Sequence, residues 1–182
     1  GDLLAEQWID CCLEEIERDF LSGRFKAVLE TVSPEGDFLD HTLGRTINPG
    51  HALEAGWFIL AEAAHRGDAR LMELGCRIID WSWEWGWDDV YGGILYFRDV
   101  RQLPVQEYWH DMKFWWPQCE AILATLSAYM ATGDAKYARW HRQAHDWAYA
   151  HFPDPKHAEW FGYLHRDGQL SSRAKRTLFK GP

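Results

Sequence analysis

The sequence predicts an all-α fold of helix hairpins set side by side. Two observations carry that expectation. "RGDARLMELGCRIIDW" at 66–81 and "TGDAKYARWHRQAHDW" at 132–147 align without gaps, pairing Gly67 with Gly133, Asp68 with Asp134 and Trp81 with Trp147 at an offset of 66 residues. The dipeptide Gly-Asp also recurs as punctuation, at Gly1-Asp2, Gly67-Asp68 and Gly133-Asp134. Glycine suits the C-terminal cap of one helix and aspartate the N-cap of the next, so each repeat reads as a helix, a tight turn and a second helix. Such hairpins either stack into an open solenoid or close into a toroid whose first helices face inward.

The elements follow in order as helices over 2–22, 50–66, 68–86, 116–132 and 134–151. The second opens where Asn48, Pro49 and Gly50 lead into His51, before the apolar run of Trp57, Phe58, Ile59 and Leu60. The third and fifth open on Asp68 and Asp134. The same offset pairs the fourth helix with the second, matching Glu54 with Glu120, Ala55 with Ala121 and Leu60 with Leu126. Between the pairs, "FKAVLETVSPEGDFLD", "YGGILYFRDV" and "EWFGYLHRDGQL" mix aromatic or β-branched residues with Gly and Asp turns, which predicts short strands or hairpins. If Gly1-Asp2 matches Gly67-Asp68, the chain starts at the second helix of a hairpin, and its end falls where the next inner helix is due. Residues 1–182 are therefore expected to form one portion of a larger closed domain.

Composition excludes several functions. With 182 residues, 47% of them hydrophobic and 26% charged, the chain can bury one sizeable core. A net charge of −9 argues against nucleic acid, whose binding rests on Lys and Arg neutralising phosphates. No apolar run approaches the roughly 18 residues of a membrane span, and "GDLLAEQWID" lacks the zones of a signal peptide, so no membrane partner and a cytoplasmic location are expected. Cys11, Cys12, Cys76 and Cys119 show no zinc-type spacing and read as free buried thiols. The 12 Trp, 7 Tyr and 9 Phe serve mostly to pack the core; some are available to stack on the apolar faces of sugar rings.

Glu54 and Glu120, equivalent by the repeat, fall in the first turn of successive inner helices and would project at one end of a central cavity. His51 precedes Glu54 by three residues and so shares its face. The result is a base beside two carboxylates. Each residue alone also has a plainer reading, since glutamates favour the first helical turn and a histidine there often caps or packs. His141 and His145, at i and i+4, have the spacing of a metal pair but lie on an outer helix without a third ligand, so a solvated pair is expected and no metal. His110-Asp111-Met112-Lys113 leads into the Glu120 helix at the cavity mouth, with no role assigned. "DVYGG" lacks the pattern of a phosphate loop.

"NPGHALEAGWFIL", "KFWWPQCEAI", "EWFGYLHRDG" and the terminal "FKGP" together resemble the N-acylglucosamine 2-epimerase family, also known through the renin-binding proteins. The resemblance spans nearly the whole chain. It implies an (α/α)6 toroid, or barrel, of helix hairpins with short β-hairpin connections, of which this chain supplies the C-terminal half. Cellobiose 2-epimerases and aldose-ketose isomerases belong to the same superfamily.

What the resemblance implies about activity is inversion at C2 of an open-chain aldose, here N-acetylglucosamine and N-acetylmannosamine. The aldehyde acidifies the C2 proton, whose removal gives an enolate (an enediolate where C2 bears a hydroxyl), and return of a proton to the other face gives the epimer. Two acid/base groups are needed, and histidine suits both posts. By resemblance His51 is one of the pair, Glu54 contacts the sugar or steadies His51, Glu120 assists at the reacting centre, and Trp116 stacks on the sugar. The second histidine follows "FKGP" in the family's motif, beyond Pro182, and an arginine comes from the N-terminal half. The chain alone is thus expected to be inactive. No cofactor is implied beyond ATP as an allosteric activator in some members, and a homodimer is the expected assembly. An aldose-ketose isomerase or cellobiose 2-epimerase is the alternative, with a glycoside hydrolase or a non-catalytic interaction protein further off.

Overall fold

The computed structural model describes residues 3–177 and residue 180. The first Gly-Asp pair and three of the four residues of "FKGP" lie outside them. α1 (Leu3–Glu15) continues through a π-helical turn, Ile16–Phe20, and stops short of the expected end at 22. There the chain turns back, as β1 (Leu21–Ser22) pairs antiparallel with β2 (Ala27–Val28). A four-residue helix α2 (Thr42–Arg45) and strand β3 (Thr46–Ile47) then lead to α3 (Pro49–Arg66) and α4 (Ala69–Gly86). β4 (Arg98–Asp99) and β5 (Lys113–Phe114) precede α5 (Trp115–Thr132) and α6 (Ala135–His151), and β6 (Tyr163–Leu164) follows.

The helices begin and end where side-chain chemistry tells them to. Asn48 Oδ1 accepts from the amides of Gly50 and His51, and Pro49 occupies the first position, where a missing N–H costs nothing. Asp68 caps α4 and Asp134 caps α6 in the same manner. Gly67 and Gly133 close α3 and α5 in the left-handed region, at φ +67° and +71°. The helix starts at Asn48 and Phe114, the stops at Gly67 and Gly133 and the restarts at Asp68 and Asp134 are each 66 residues apart, so the repeat governs the backbone.

α3 packs against α4, its own hairpin partner, and against α5 of the next hairpin, which in turn carries α6. The shared core is Leu53 and Leu60 of α3, Ile79 and Trp83 of α4, Ala121, Ala124 and Ala128 of α5, and Tyr137 and Ala144 of α6. Small residues on α5 let the helices approach, and the large aromatics fill the outer layer. Trp83 lies between Trp87 and Trp140, nearly parallel to both, with ring centroids 4.6 and 4.9 Å apart. This side-by-side order of hairpins is that of an (α/α)6 toroid, of which the chain forms part.

Three expectations need correction. The expected short strands form and each connection closes a local turn, with bridges Val32–Phe38, Trp87–Ile94 and Leu164–Leu170, but pairing also runs between connections: β3 pairs with β4 and β5 with β6, joining Thr46 to Asp99 and Lys113 to Leu164 across whole helix pairs. The connections lie together at one end of the bundle, so each can reach its neighbour as well as itself. Cys11 and Cys12 are exposed, because α1 buries none of its residues fully; Cys76 and Cys119 are half-buried, and burial pushes the Cys119 thiol up to about 11. His141 is not merely solvated: its Nδ1 meets the Ile122 carbonyl at 3.1 Å, tying α6 to α5, while His145 pairs with Asp146.

The ends of the hairpins are tied by one buried carboxylate. Asp88, just past α4 and 2% exposed, accepts from the fully buried Lys113 Nζ at 2.9 Å and from Arg166 Nε and an Nη at 2.8 and 3.1 Å. Lys113 also donates to the Gly93 carbonyl at 3.1 Å. Gly92 and Gly93, with φ of +73° and +75°, pass directly beneath Trp147; a Cβ on either would come within 2.6 Å of the indole. Burial alone would raise the Asp88 carboxyl, but Arg166 and then Lys113 outweigh it and hold it well below the usual carboxylate range. Burial pushes Lys113 down to about 8, against the pull of Asp88.

Replacing one member should therefore cost more than the pair is worth. Asp88→Asn leaves the buried Lys113 without its counter-ion and is expected to lose about 3–5 kcal/mol in urea unfolding of the full-length protein; adding Lys113→Met should recover part of it. Because the folded value of Asp88 lies below the unfolded one, its contribution is complete above about pH 5 and declines as pH falls. The acid side of the wild-type stability curve should show that decline, and Asp88→Asn should flatten it.

Candidate active site

His51 is the third residue of α3, and its amide is held by the Asn48 cap. Gly50 beside it is buried, and a Cβ there would lie 2.8 Å from the Trp116 ring. Only glycine lets Trp116 of α5 lie against the start of α3. Trp116 then stacks on the imidazole of His51, centroids 5.0 Å apart and planes at 27°. The tryptophan expected to face a sugar thus also fixes the tilt of the histidine.

Glu54 lies one turn beyond His51. Counted from their caps, Asn48 and Phe114, Glu54 and Glu120 are both sixth residues, and neither helix has an acidic residue in its first turn. Their placement in the second turn, rather than the first, removes the helix-dipole explanation. The α3–α5 seam brings them together. Trp57 of α3 donates its indole N–H to Glu120 Oε2 at 2.7 Å, and the charge of Glu54 is felt by both Glu120 and His51. Burial raises the Glu120 pKa above the ordinary range, the Trp57 hydrogen bond opposes that, and the charge of Glu54 adds to it.

The nearest partner of His51 is one that periodicity does not reveal. His51 Nδ1 lies 2.9 Å from Glu30 Oε2, a residue of the connection after β2. That hydrogen bond is the main reason the His51 pKa is raised; burial opposes it, and the charges of Glu30 and Glu54 reinforce it.

A cavity of about 600 Å³ opens beside this cluster, walled by His51, Tyr96, Glu107, Trp109, Trp116 and Tyr163 among others. Glu54 and Glu120 are not among the residues that wall it; they sit on the adjoining α3–α5 seam. Tyr96 is wedged with its face on Phe114, at 4.0 Å and 26°, and its edge toward Trp116. The segment 110–113 supports this wall: the His110 carbonyl accepts from the amides of Tyr96 and Phe97, and Lys113 anchors to Asp88. Four expected residues, His51, Glu54, Trp116 and Glu120, therefore meet at one place. Glu30, Trp57, Tyr96, Glu107, Trp109 and Tyr163 join them without a sequence signal, five of them because connections carry them and Trp57 because it reads as core.

A basic imidazole, a carboxyl that retains its proton more readily than usual, and flat aromatic walls are suited to moving a proton on a small polyhydroxylated molecule. Among the described residues no group of three or more His, Cys, Asp or Glu could hold a metal ion. No described helix is long and apolar enough to cross a membrane.

Comparison with known proteins gives the family and the fold. Residues 4–179 match the family described as N-acylglucosamine 2-epimerase (GlcNAc 2-epimerase). The bovine N-acylglucosamine 2-epimerase is 44% identical over 177 residues, which are 94% of this chain and 41% of that one, and the human protein is 41% identical over 174 residues, or 93% and 39%. The chain thus spans about two-fifths of the length of these relatives. Cellobiose 2-epimerase from Bacillus thermoamylovorans B4167 superposes with a TM-score of 0.82 over all of this chain and 45% of its own; at 18% identity that likeness speaks for the fold. With its hairpin repeat, its paired glutamates and a match over nearly its full length, the chain belongs to the N-acylglucosamine 2-epimerase family.

Proposed function

We propose that the full-length protein is a sugar 2-epimerase that interconverts N-acetylglucosamine and N-acetylmannosamine. The observation that carries this reading is the convergence of His51, Glu54 and Glu120 beside an aromatic-walled cavity. His51 takes the C2 proton of the open-chain sugar. The C–H electron pair moves to the aldehyde, giving an enolate with its charge on O1. A second acid on the opposite face, outside this chain, delivers a proton to C2. The reaction balances without a redox cofactor, because hydrogen leaves and returns as a proton. Glu120, biased toward its protonated form, donates a hydrogen bond to the developing oxyanion, and Glu54 holds a sugar hydroxyl or steadies His51. Trp116 offers an apolar face to the ring. The same reading carries a cytoplasmic homodimer with no nucleic-acid partner and gives ATP the role of an activator bound elsewhere.

Full-length protein incubated with N-acetylmannosamine should therefore form N-acetylglucosamine without added cofactor, as followed by chromatography. Interconversion of mannose with fructose would instead establish the isomerase, and release of free sugar from an oligosaccharide the hydrolase.

His51→Asn should lower net epimerisation by about 10²–10⁴-fold, the usual worth of a general base. Its side chain is half exposed and its ion pair with Glu30 is partly solvated, so the thermal midpoint should shift by no more than about 1 kcal/mol implies. The remaining base can still exchange the C2 proton on its own face, so the variant should incorporate deuterium from heavy water into one epimer and not the other. NMR of both epimers reads this directly; near-normal epimerisation by the variant would remove His51 from the mechanism.

A further inference from the structure

We propose that Glu30 is the positioning residue for His51, holding the imidazole proton on Nδ1 so that Nε2 is the basic atom presented to the substrate. The reference to substrate rests on the epimerase reading; the geometry does not. An ionised carboxylate can only accept a hydrogen bond, so at 2.9 Å from Glu30 Oε2 the Nδ1 atom must be the donor. A neutral imidazole then has its lone pair on Nε2. Among the described residues Nε2 makes no hydrogen bond, and His51 lines the cavity, so that lone pair is available to a bound molecule.

Two contacts at right angles make the ring rigid. Glu30 stops rotation about the ring axis, and the stacked Trp116 stops tilt. Glu30 is itself well anchored. Leu29 beside it is 5% exposed and donates its amide to the Phe20 carbonyl at 2.9 Å, while the Trp85 indole of α4 pins the preceding turn through the carbonyls of Phe25 and Lys26, at 3.2 and 3.0 Å. The carboxylate therefore reaches His51 from a braced hairpin.

Charge agrees with geometry. The groups bearing on His51 are Glu30 from the β2 connection and Glu54 from its own helix, both acidic, and from α5 the neutral Trp116. Both carboxylates favour the imidazolium formed when Nε2 takes the C2 proton. Glu30 does so through a hydrogen bond, Glu54 through space. This is the arrangement in which a base is oriented by a third group, here assembled from a loop.

The test uses Glu30→Gln and Glu30→Ala in the full-length protein. Gln keeps an acceptor oxygen and removes the charge; Ala removes both. Nitrogen NMR of the His51 ring, assigned by its loss in His51→Asn, should show the Nδ1–H tautomer in the wild type and in Glu30→Gln. The acid limb of kcat/KM, set by the need for neutral His51, should move to lower pH in Glu30→Gln by about 1 unit. Glu30→Ala should lose the tautomer preference and about 10–100-fold in kcat, with KM little changed and the thermal midpoint near normal. An Nε2–H tautomer in the wild type would overturn the proposal, as would an acid limb and kcat unmoved by Glu30→Ala, or a loss confined to KM. If the tautomer and the His51 titration respond as stated while neither wild type nor variants epimerise any N-acetylhexosamine, the positioning role stands and the epimerase reading falls.

Discussion

The buried carboxylate of Asp88 is the constraint on which the site depends. The long helices of the two hairpins need no such device, because α3, α4 and α6 are capped by side chains and all four pack on their neighbours. The connections are different: they are largely irregular, they carry the cavity wall, and their two-residue strand pairs contribute little alone. Asp88 joins two of them, and the two ends of the first to each other. It reaches the loop that follows α4, the strand that starts α5 through Lys113, and the loop after β6 through Arg166. Phe114, next to Lys113, stacks on Tyr96, and Tyr163 sits edge-on to Phe114, so the triad sets the wall through a chain of aromatic contacts. A buried ion pair with hydrophobic surroundings is a poor source of net stability. Its use here is directional, since carboxylate and guanidinium specify one arrangement where apolar groups would accept several.

What could be read in the sequence and what could not divide along the same line. The helices were legible because their signals are local: Asn48-Pro49, Asp68 and Asp134 at the starts, Gly67 and Gly133 at the stops, and an interval that repeats. The equivalence of Glu54 and Glu120 followed from that interval alone, and the Trp57 bridge between their helices shows what it means in space. The partners in the connections were not legible. Glu30 precedes His51 by 21 residues and reaches it only because β1 and β2 close a hairpin braced by Trp85. Lys113 and Asp88 are 25 residues apart, and Arg166 lies a further two helices on. Such pairings are properties of tertiary closure, and no period or motif encodes them. The turn of Glu54 and Glu120 was misjudged for a smaller reason: the helices start at Pro49 and Trp115, one residue earlier than apolar periodicity suggests.

The electrostatics of the cluster raise a difficulty that the structure also answers. Proton abstraction from C2 creates an anion, yet Glu30 and Glu54 act on His51 and Glu120 lies beside Glu54, in a chain whose net charge is already −9. Three ionised carboxylates would stabilise the imidazolium and repel the enolate, so the gain at the base would be lost at the substrate. The groups are not equivalent, however. Glu30 is engaged on Nδ1, on the side of the ring away from Nε2, where its charge favours the imidazolium. Glu120 is half-buried beside Glu54, and those two influences bias it toward the neutral acid, the form able to donate rather than repel. The Trp57 indole opposes that bias by hydrogen-bonding to the carboxylate. A carboxylate that accepts from the base and a half-buried one whose burial favours its proton can serve different roles in a single site. Burial and hydrogen bonding, rather than residue type, distinguish them here, and both were set by the folding of α3 against α5 and of the β1–β2 hairpin against α4.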